Sequence, residues 1–439
     1  MKNLILTLII SLPLILYGQV WEQTYGGESS DMGCSVQQTT EGGYILTGST
    51  FSFGNGQRDI FLLKTDNNGS QLWFKTFGGL NNDEGFSVKQ TSDLGYIVCG
   101  KTNSFGNNYS DIFIIKTDNN GDTIWTKLIG GNVSERGYSI EETDDEGYIF
   151  TGYSNSYGNG LLTDIYLVKL DGNGNVQWDQ VFTQTNESVG NSVKQTQDGG
   201  YIICGSKRGG LFGENDVFVI KTDSNGIELW NKTYGGNNID EGHSISQTYD
   251  GGFIICGSKT NTGEFNKTLW VIKTDINGDT LWTNTFNNLD YSSSEGYSVF
   301  QTSNGDYVVC GIIETWLPTD KQYVYILKLD NYGNQIWYNL FSKSGYSNEG
   351  REICETFDGG YIVIGSSSLD QGSGHNDIYL IKTDDEGNIT SNFEIPLPKP
   401  ERIIEKTVNL LGQEVKPQNS QVFIEILDDT SIEKKIIIE

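Results

Sequence analysis

The sequence predicts an all-β protein: a seven-bladed β-propeller of four-stranded blades, followed by a small C-terminal β module. Three markers recur seven times with a period of about 52 residues, which is the signature of a repeat architecture. The first marker is a tryptophan, at Trp21, Trp73, Trp125, Trp178, Trp230, Trp282 and Trp337. The second is the aromatic residue of a Gly-Tyr-Ile-like triplet, at Tyr44, Tyr96, Tyr148, Tyr201, Phe253, Tyr307 and Tyr361. The third is a lysine followed by Thr-Asp or Leu-Asp, at Lys64, Lys116, Lys169, Lys221, Lys273, Lys328 and Lys382.

Each repeat unit is predicted to form four short strands, which in the second unit cover residues 87–91, 96–100, 111–118 and 124–128. A glycine-bearing turn joins the first two strands, and an Asp-x-Asn-Gly turn joins the last two; both are hairpin signals. The third strand is apolar on both faces, so neighbouring units must cover it on both sides. The first strand is the most polar and suits a wet central channel. Four strands at this period match a propeller blade.

The two ends of the repeat region predict a closed ring. The chain begins with an unpaired fourth strand at residues 20–25, which carries Trp21, and it ends with only three strands of a unit. Residues 388–393 occupy the register of the missing strand, but Ser391 stands where tryptophan is expected. We therefore expect the N-terminal strand to complete the seventh blade, which removes the exposed sheet edges.

Residues 19–393 resemble the secreted β-propeller repeat proteins of bacteria that carry Trp and Lys-Thr-Asp-x-Asn-Gly marks. The resemblance is specific for architecture and weak for activity, because propellers host many functions.

Residues 1–18 read as a secretory signal peptide. Lys2 supplies a positive charge, residues 4–16 are mostly apolar, and Gly18 is a small residue suited to cleavage before Gln19. An uncleaved anchor is the alternative. No other stretch is long and apolar enough to span a membrane.

The composition excludes some partners. Twenty-nine Lys and Arg against 57 Asp and Glu give a formal net charge of −28, which disfavours nucleic acid and anionic lipid headgroups. Only two histidines are present, so no histidine-based chemistry repeats along the chain. Four of the six cysteines occupy the same second-strand position in different units, too far apart for disulfides, and all six are expected to be free thiols. These four are Cys99, Cys204, Cys256 and Cys310.

The C-terminal region differs from the repeats. Residues 394–400 are rich in proline and read as a stiff linker. Residues 401–439 are similar to the type A C-terminal sorting domain of type IX secretion cargo. The residues that carry this resemblance include Leu411, Gly412, Glu414, Asp428, Asp429, Lys434 and Lys435. The resemblance implies contact with the type IX secretion machinery, export across the outer membrane, and a secreted or cell-surface location. A small β-hairpin that only packs on the propeller is the alternative.

Some repeated residues are scaffold candidates. The seven lysines are expected to pair with an acid of a neighbouring blade, and the seven tryptophans to pack between blades. Two Asp-x-Asn-Gly turns carry a third oxygen ligand and could hold Ca²⁺, although a plain hairpin turn is the favoured interpretation. These turns contain Asp118, Asn120 and Asp122, and Asp275, Asn277 and Asp279. No other cofactor is expected.

One register position is predicted to form a recognition site at a channel mouth. Each unit has a glycine just before its first strand, acids precede this glycine in six units, and the next residue varies. Alternate connections are long, so long loops share this face and ligands are expected there. The acids could form a collar that binds a cation or an amine, with turn capping as the alternative. The variable residues could equally reflect drift. The binding candidates are Tyr138, His243, Tyr297 and Arg351, together with Arg136 and the insert residue Trp316.

Two function classes remain open. The favoured one is a secreted or surface-displayed monomeric propeller that binds an extracellular glycan or protein. The alternative is a polysaccharide-active hydrolase or lyase, for which His243, Arg136 and Arg351 qualify by residue type. No nucleophile, metal cluster or phosphate loop accompanies these residues in the sequence, so the sequence names no catalytic residue.

Overall fold

The computed structural model contains strands as its only regular elements among the residues that it describes. These residues are 20–107, 109–158, 162–183, 185–209, 214–260, 266–286, 291–315, 321–343, 347–368, 375–389, 404–408, 422–427 and 432–436. The chain divides into two compact units, Met1–Ile389 and Thr390–Glu439. The first unit contains seven four-stranded sheets, so the predicted seven-bladed β-propeller is confirmed.

The strands follow one another with the predicted order in every blade. The first strands are β2 (Asp31–Gln38), β6 (Asp83–Gln90), β10 (Glu135–Glu142), β14 (Ser188–Gln195), β18 (Asp240–Gln247), β22 (Tyr291–Gln301) and β26 (Asn348–Glu355). The second strands are β3 (Tyr44–Thr50), β7 (Tyr96–Thr102), β11 (Tyr148–Ser154), β15 (Tyr201–Arg208), β19 (Phe253–Thr260), β23 (Tyr307–Thr315) and β27 (Tyr361–Ser368). The third strands are β4 (Asp59–Thr65), β8 (Asp111–Thr117), β12 (Asp164–Leu170), β16 (Asn215–Thr222), β20 (Lys267–Thr274), β24 (Gln322–Leu329) and β28 (Asn376–Thr383). The fourth strands are β5 (Gln71–Phe77), β9 (Thr123–Ile129), β13 (Val176–Phe182), β17 (Glu228–Tyr234), β21 (Thr280–Phe286), β25 (Gln335–Phe341) and, for blade seven, β1 (Trp21–Tyr25).

The predicted ring closure is also confirmed. β1 pairs antiparallel with β28, with Trp21 opposite Lys382 and Tyr25 opposite Ile378, so the first strand of the chain completes the last blade. This pairing covers the edge that β28 would otherwise expose.

The core lies between the blades. The third strands β4, β8 and β12 are buried along their whole length, as their apolar faces predict. Each tryptophan packs against the aromatic marker of the next blade; for example, the rings of Trp125 and Tyr148 are 6.0 Å apart. Trp125 also lies against Gly174, where an added β-carbon would approach its ring to 2.9 Å. The inter-blade role predicted for the tryptophans is therefore observed, although their side chains are only partly buried.

Two rings of hydrogen bonds link each blade to the next. In the first, a backbone N–H of one inner strand donates to a side-chain oxygen of the preceding blade, at 2.9–3.4 Å. The acceptors, which we call the serine ring, are Ser35, Ser87, Ser139, Ser192, Ser244, Ser298 and Glu352. In the second, turn N–H groups donate to Gln or Glu oxygens of the following blade at 2.7–2.9 Å. These acceptors, the glutamine ring, are Gln38, Gln90, Glu142, Gln195, Gln247, Gln301 and Glu355.

The partner predicted for the repeated lysines was wrong. Each lysine pairs with an acid of its own blade and not of a neighbour; Lys116, for example, lies 2.8 Å from Asp93. The acid sits in the turn between the first two strands, directly beside the end of the third strand that carries the lysine. The hairpin geometry of one blade therefore brings the two residues together. The pair satisfies a lysine that is almost fully buried.

The other sequence predictions about the fold concern the cysteines and the two ends of the chain. All six cysteines are free, as expected. The second unit contains an antiparallel sheet of β29 (Ile404–Val408), β30 (Val422–Leu427) and β31 (Ile432–Ile436). Lys434 and Lys435 lie in β31, opposite Ile424 and Phe423. The signal peptide, the linker and the sorting residues Leu411, Gly412, Glu414, Asp428 and Asp429 lie outside the described residues. Within the described residues, no helix is long and apolar enough to cross a membrane.

Candidate binding site at the loop end of the channel

The inner strands contain a β-bulge at the position that varies between units. The predicted first strands begin too late: in blade two, pairing starts at Asp83 rather than residue 87, and the glycine lies inside the strand. The register shifts between Gly85 and Ser87, which leaves Phe86 as the extra residue of the bulge. The glycine is required by space, because a β-carbon on Gly85 would lie 2.7 Å from the hydroxyl of Thr47 in the preceding blade.

The seven bulge residues converge. They line a cavity of about 250 Å³ inside the channel and a second cavity of about 360 Å³ at the end where the long connections emerge, which we call the mouth. These residues, the bulge ring, are Cys34, Phe86, Tyr138, Asn191, His243, Tyr297 and Arg351. A bulge redirects a side chain without altering the pairing on either side of it. Four of the predicted binding residues, Tyr138, His243, Tyr297 and Arg351, are thus brought into one site.

Aromatic contacts organise the bulge ring. The rings of Phe86 and Tyr138 are 5.1 Å apart, and those of His243 and Tyr297 are also 5.1 Å apart. The guanidinium of Arg351 lies 4.6 Å from the centre of the Tyr297 ring, in a cation–π contact. Burial raises the pKa of Tyr138, so this phenol remains neutral and can donate a hydrogen bond at any physiological pH.

The acids that precede the bulge fall into two sets, which the sequence did not separate. Asp31, Asp83, Glu135 and Asp240 are fully buried. They cap the loops between blades: the Gly79 N–H donates to Asp83 at 2.8 Å, and the corresponding glycine N–H groups donate to Asp31 and Glu135 at 2.9 Å. For this set, the alternative of turn capping describes the structure, and the carboxylates do not face the mouth as a collar.

The second set of acids lies beside the mouth, and each member has a cationic partner. Lys267 contacts Glu241 at 2.7 Å and Glu295 at 3.1 Å. Arg351 contacts Glu349 at 2.6 Å. On this side, contributed by blades five to seven, three carboxylates therefore face two cations, and the predicted acidic character is largely neutralised.

The opposite side of the mouth carries an excess of positive charge. Arg58 and Lys101 both contact the same oxygen of Glu84, at 2.8 and 3.3 Å. Among the residues that the structure describes, no carboxylate lies within ion-pair distance of Arg136; it approaches Tyr138 and Tyr153, with its guanidinium 5.9 Å from the Tyr153 ring. Two cations thus share one carboxylate and a third lies nearby without an ion-pair partner among the described residues, in a protein whose net charge is −28.

Both arginines also act on the pKa of Lys101. Burial is the main cause that lowers the pKa of its ammonium; Glu84 raises it, and the charges of Arg136 and Arg58 lower it. The Nε atoms of Arg58 and Arg136 are buried without a hydrogen-bond partner in the described part of the chain. A cluster of this kind attracts an anionic group, because an added negative charge relieves the repulsion between its cations.

Below the bulge ring, charged residues fill the channel. Lys89 contacts Glu352 at 3.2 Å and Glu141 at 3.9 Å, and Lys194 also pairs with Glu141. Glu352 is the member of the serine ring that replaces a serine, so it both accepts the Val36 N–H and pairs with Lys89. These two lysines and two glutamates also line the cavity of about 250 Å³ inside the channel, so their charges balance there.

One group of mouth residues has ligand atoms close enough together to hold a metal ion. Single ligand atoms of Glu241, His243 and Glu295 lie within 4.8 Å of one another, but the ammonium of Lys267 already occupies the space beside both carboxylates. Burial alone would raise the pKa of Glu295; the His243 imidazole, 3.7 Å away, and the charge of Lys267 outweigh burial and lower it. Glu295 therefore does not have the raised pKa that a general acid for glycoside hydrolysis needs.

The turns proposed as calcium sites have the hydrogen bonds of a plain hairpin turn. One oxygen of Asp118 accepts the N–H groups of Asn120 and Asp122, both at 2.9 Å, and Lys75 pairs with Asp122. Asp275 accepts the N–H groups of Asn277 and Asp279 in the same way, and Lys232 pairs with Asp279. Units without the second acid form the same bonds; Asp66, for example, accepts the N–H of Asn68 at 2.9 Å. Calcium binding here stays a prediction.

Two candidates remain to be placed. Trp316 lies outside the described residues. Arg136 lies on β10 beside the mouth, as described above. The sequence analysis missed Arg58 and Lys101, which the structure brings next to Arg136. In the sequence, Arg58 is marked only as a cation in a loop of a strongly acidic chain. The sequence does not show which blade Arg58 faces.

Comparisons with known proteins add the following. No protein-family profile matches the chain. A segment is 27% identical over 228 residues to the regulatory protein FlaEY of Caulobacter vibrioides; the match covers 44% of this chain and 24% of FlaEY, so the chain spans a minor part of that protein. Among solved structures, a fungal alcohol oxidase of the AA5 family in complex with copper superposes with a TM-score of 0.50 at 11% identity, over 94% of this chain and 84% of the oxidase. The WD40 domain of Neurospora crassa Pan2 superposes with a TM-score of 0.48 at 11% identity, over 84% and 98% of the two chains. At these identities, the structural likeness shows the fold alone.

Proposed function

We propose that the protein is a secreted or cell-surface binding propeller that holds an extracellular ligand at the mouth of its channel, through an anionic group such as a carboxylate. The observation that carries the proposal is the bulge ring. The side chains that vary most in chemistry between the seven units meet in one cavity, while the glycines and the serine ring around them repeat. A rigid scaffold that presents variable side chains in a concave site is the usual design of a binding protein.

The charge distribution supports the ligand class. Arg58 and Lys101 share Glu84 beside Arg136, whereas the acids on the opposite side of the mouth are already paired with Lys267 and Arg351. An incoming carboxylate gains most beside Arg136, whose charge has no carboxylate partner among the described residues, and it can also accept from the neutral phenol of Tyr138. Tyr297 and His243 provide an apolar surface on the other side.

The direct test uses trigalacturonate as an acidic probe and maltotriose as a neutral probe of equal length, titrated into the purified protein by calorimetry. We expect trigalacturonate to bind and maltotriose not to bind at the mouth. Arg136→Gln should weaken trigalacturonate binding by about tenfold, since a charge-assisted contact contributes about 1.5–3 kcal/mol. Lys232→Gln removes a cation from the opposite end of the blades and should leave binding unchanged. Equal loss in the two variants would contradict a site at the mouth.

We also infer export by type IX secretion. Support comes from the composition of residues 1–18, from the sorting-domain resemblance of residues 401–439, and from the formation of a separate antiparallel sheet by the C-terminal unit. Deleting residues 401–439 should leave the melting temperature of the propeller unchanged and trap the protein in the periplasm of a type IX-competent host. Normal surface delivery of the truncated protein would contradict the assignment.

A further inference from the structure

A second concave site lies at the other end of the blades, between blades five and six. This groove has a volume of about 600 Å³, which falls within the range of about 300–1,000 Å³ for small-molecule sites. Its lining includes Tyr249, Trp282, Asn304, Asp306 and Tyr332, and we call it the blade five–six groove. It is separate from the mouth, because it is formed by the tight turns that follow the first and third strands.

Four residues of the groove depart from the repeat. Tyr249 occupies a turn position that is polar in five of the other six units. Tyr332 replaces the asparagine of the Asp-x-Asn-Gly turn, which five units keep. Asn304 replaces the acid that pairs with the buried lysine, and Asp306 replaces a glycine that the other six units share. Residues that break a repeat are functional candidates, and here four of them meet in one place.

Drift at tolerant positions does not explain Asp306. In the other six blades, a β-carbon at the equivalent glycine would lie 2.1–2.4 Å from a backbone carbonyl oxygen, so the position is sterically closed to side chains. The turn of blade six keeps the hydrogen bond of the other blades, with Asn304 accepting the Asp306 N–H at 3.2 Å, and Asp306 pairs with Lys328 at 3.5 Å in place of the acid that Asn304 replaces. Asp306 is thus present at a position where a side chain carries a structural cost.

The two tyrosines form the rims of the groove. Tyr249 is 67% exposed and Tyr332 is 73% exposed, which is unusual for large aromatic side chains. Between them, the groove is lined by the amides of Asn304 and Asn331, whereas the amide of Gln301 already accepts the Tyr249 N–H and donates to the Gly305 carbonyl. An amide offers both hydrogen-bond donors and an acceptor. The groove therefore combines aromatic surfaces with groups that can bind neighbouring hydroxyls.

The charges of the groove are balanced. Asp250 lies 2.8 Å from Lys273, and Asp306 pairs with Lys328. The backbones of the bordering turns are also satisfied; the Thr302 N–H donates to the Asp306 carbonyl and the Asp330 N–H to the Asn334 carbonyl, each at 2.9 Å. A peptide that binds by adding a strand needs a free sheet edge, and these paired turns do not provide one. The groove is therefore best suited to a neutral ligand that is bound by side chains.

We propose that the blade five–six groove binds a neutral glycan, with the apolar face of a pyranose ring stacked on Tyr249 or Tyr332 and its hydroxyls bound by the amides between them. The site is independent of the mouth and adds a second ligand class to a protein whose mouth favours anions.

The test replaces groove residues with the residues found at the equivalent positions of other blades. Calorimetric titration of the purified full chain uses cellohexaose, laminarihexaose, xylohexaose, mannohexaose and maltohexaose as probes. We expect at least one of these glycans to bind. The double variant Tyr249→Ser and Tyr332→Asn carries the residues found in other blades, so its fold should be unchanged, and its affinity should fall by about tenfold or more. A second variant, Asn304→Asp with Asp306→Gly, should also lose binding while its melting temperature stays equal or rises.

Phe357→Ser is the matched control. Phe357 occupies the same turn position as Tyr249 two blades further on, and it is 73% exposed, but the turn of blade one opposite it carries Asn68 instead of an aromatic residue. This variant should bind as the wild type does, and so should the mouth variant Arg136→Gln. The proposal is overturned if none of the five glycans binds, if the consensus double variant binds normally, or if Phe357→Ser loses affinity equally. Failure of the trigalacturonate test would leave these outcomes unaffected.

Discussion

The two ends of the inner strands tolerate variation in different ways. At the loop end, the bulge leaves one residue per blade outside the pairing register, and six different types of side chain occupy that position in the seven blades without altering the strand order of the sheets. At the turn end, the glutamine ring, the lysine–acid pairs and the turn glycines bind one blade together or link it to the next, and they repeat almost unchanged. Variation at the bulge is therefore structurally free, whereas variation at the turns meets steric and hydrogen-bonding constraints.

This difference changes how a departure from the repeat should be weighed. The six residue types in the bulge ring are compatible with drift, and it is their convergence in one cavity that indicates a binding site. Asp306, by contrast, stands at a turn position that is sterically closed in the other blades, and it supplies the acid for Lys328 that Asn304 does not provide. The four predictions below test the contrast between constrained and free positions, from the largest expected effect to the smallest.

Removing β1 should have the largest effect. Deletion of residues 20–25 exposes the edge of β28 and removes the contact between Trp21 and Tyr44, whose rings are 5.8 Å apart. Because truncation of one large buried aromatic side chain already costs about 3–5 kcal/mol, loss of the whole strand should exceed this value in denaturant unfolding. A stability equal to that of the intact chain would mean that blade seven closes in another way.

Trp125→Ala should have the second-largest effect on stability. The side chain packs on Tyr148 and Gly174 of the next blade but is partly exposed, so we expect a loss of about 3 kcal/mol, the lower end of the range for large aromatics. Chemical denaturation measures this loss. At the variable bulge-ring position Asn191, whose amide donates to the Gly242 carbonyl at 2.8 Å, Asn191→Ala should cost only about 1 kcal/mol. Equal losses would remove the distinction between constrained and free positions.

Ser139→Ala should have a smaller effect. Ser139 of the serine ring accepts the Val193 N–H of the next blade at 3.2 Å, and its loss leaves a part-buried donor without a partner. The expected loss in the free energy of unfolding is about 1 kcal/mol. A melt that matches the wild type would show that water replaces the hydroxyl and that the ring bonds are not a constraint.

Asp240→Asn should change the melting temperature least at any single pH. Its effect should nevertheless depend on pH more clearly than the effects of the other variants. Burial raises the pKa of the Asp240 carboxyl to about 6, with Asp216 adding to the shift and Lys259 opposing it. A carboxyl with a raised folded-state pKa contributes stability at low pH that is lost as the pH rises through that pKa. The melting temperature of the variant relative to the wild type should therefore increase between pH 4 and about 6.5 and then level off. A constant difference would mean that Asp240 is ionised throughout.

Much of this architecture could be predicted because it depends on local patterns. The spacing of Trp21, Trp73 and their equivalents gave the number of blades, and the unpaired strand at residues 20–25 gave the closure. Strand order also followed, since each hairpin is joined by a tight turn with its own sequence signal. The four bulge-ring residues predicted to lie at the mouth do meet there, because equivalent positions of a closed repeat must share one radius.

The sequence by itself determined the repeat, its period and the ring, because these follow from alternation and turn residues within about 52 positions. Only the tertiary structure decided which partner each charge takes. Asp83 caps a loop while its neighbour Glu84 reaches Arg58 of the preceding blade, and Tyr249 lines one groove with Tyr332 of the next blade. The physical reason is that side chains from different blades approach through the curvature of the ring, which no local pattern of residues encodes.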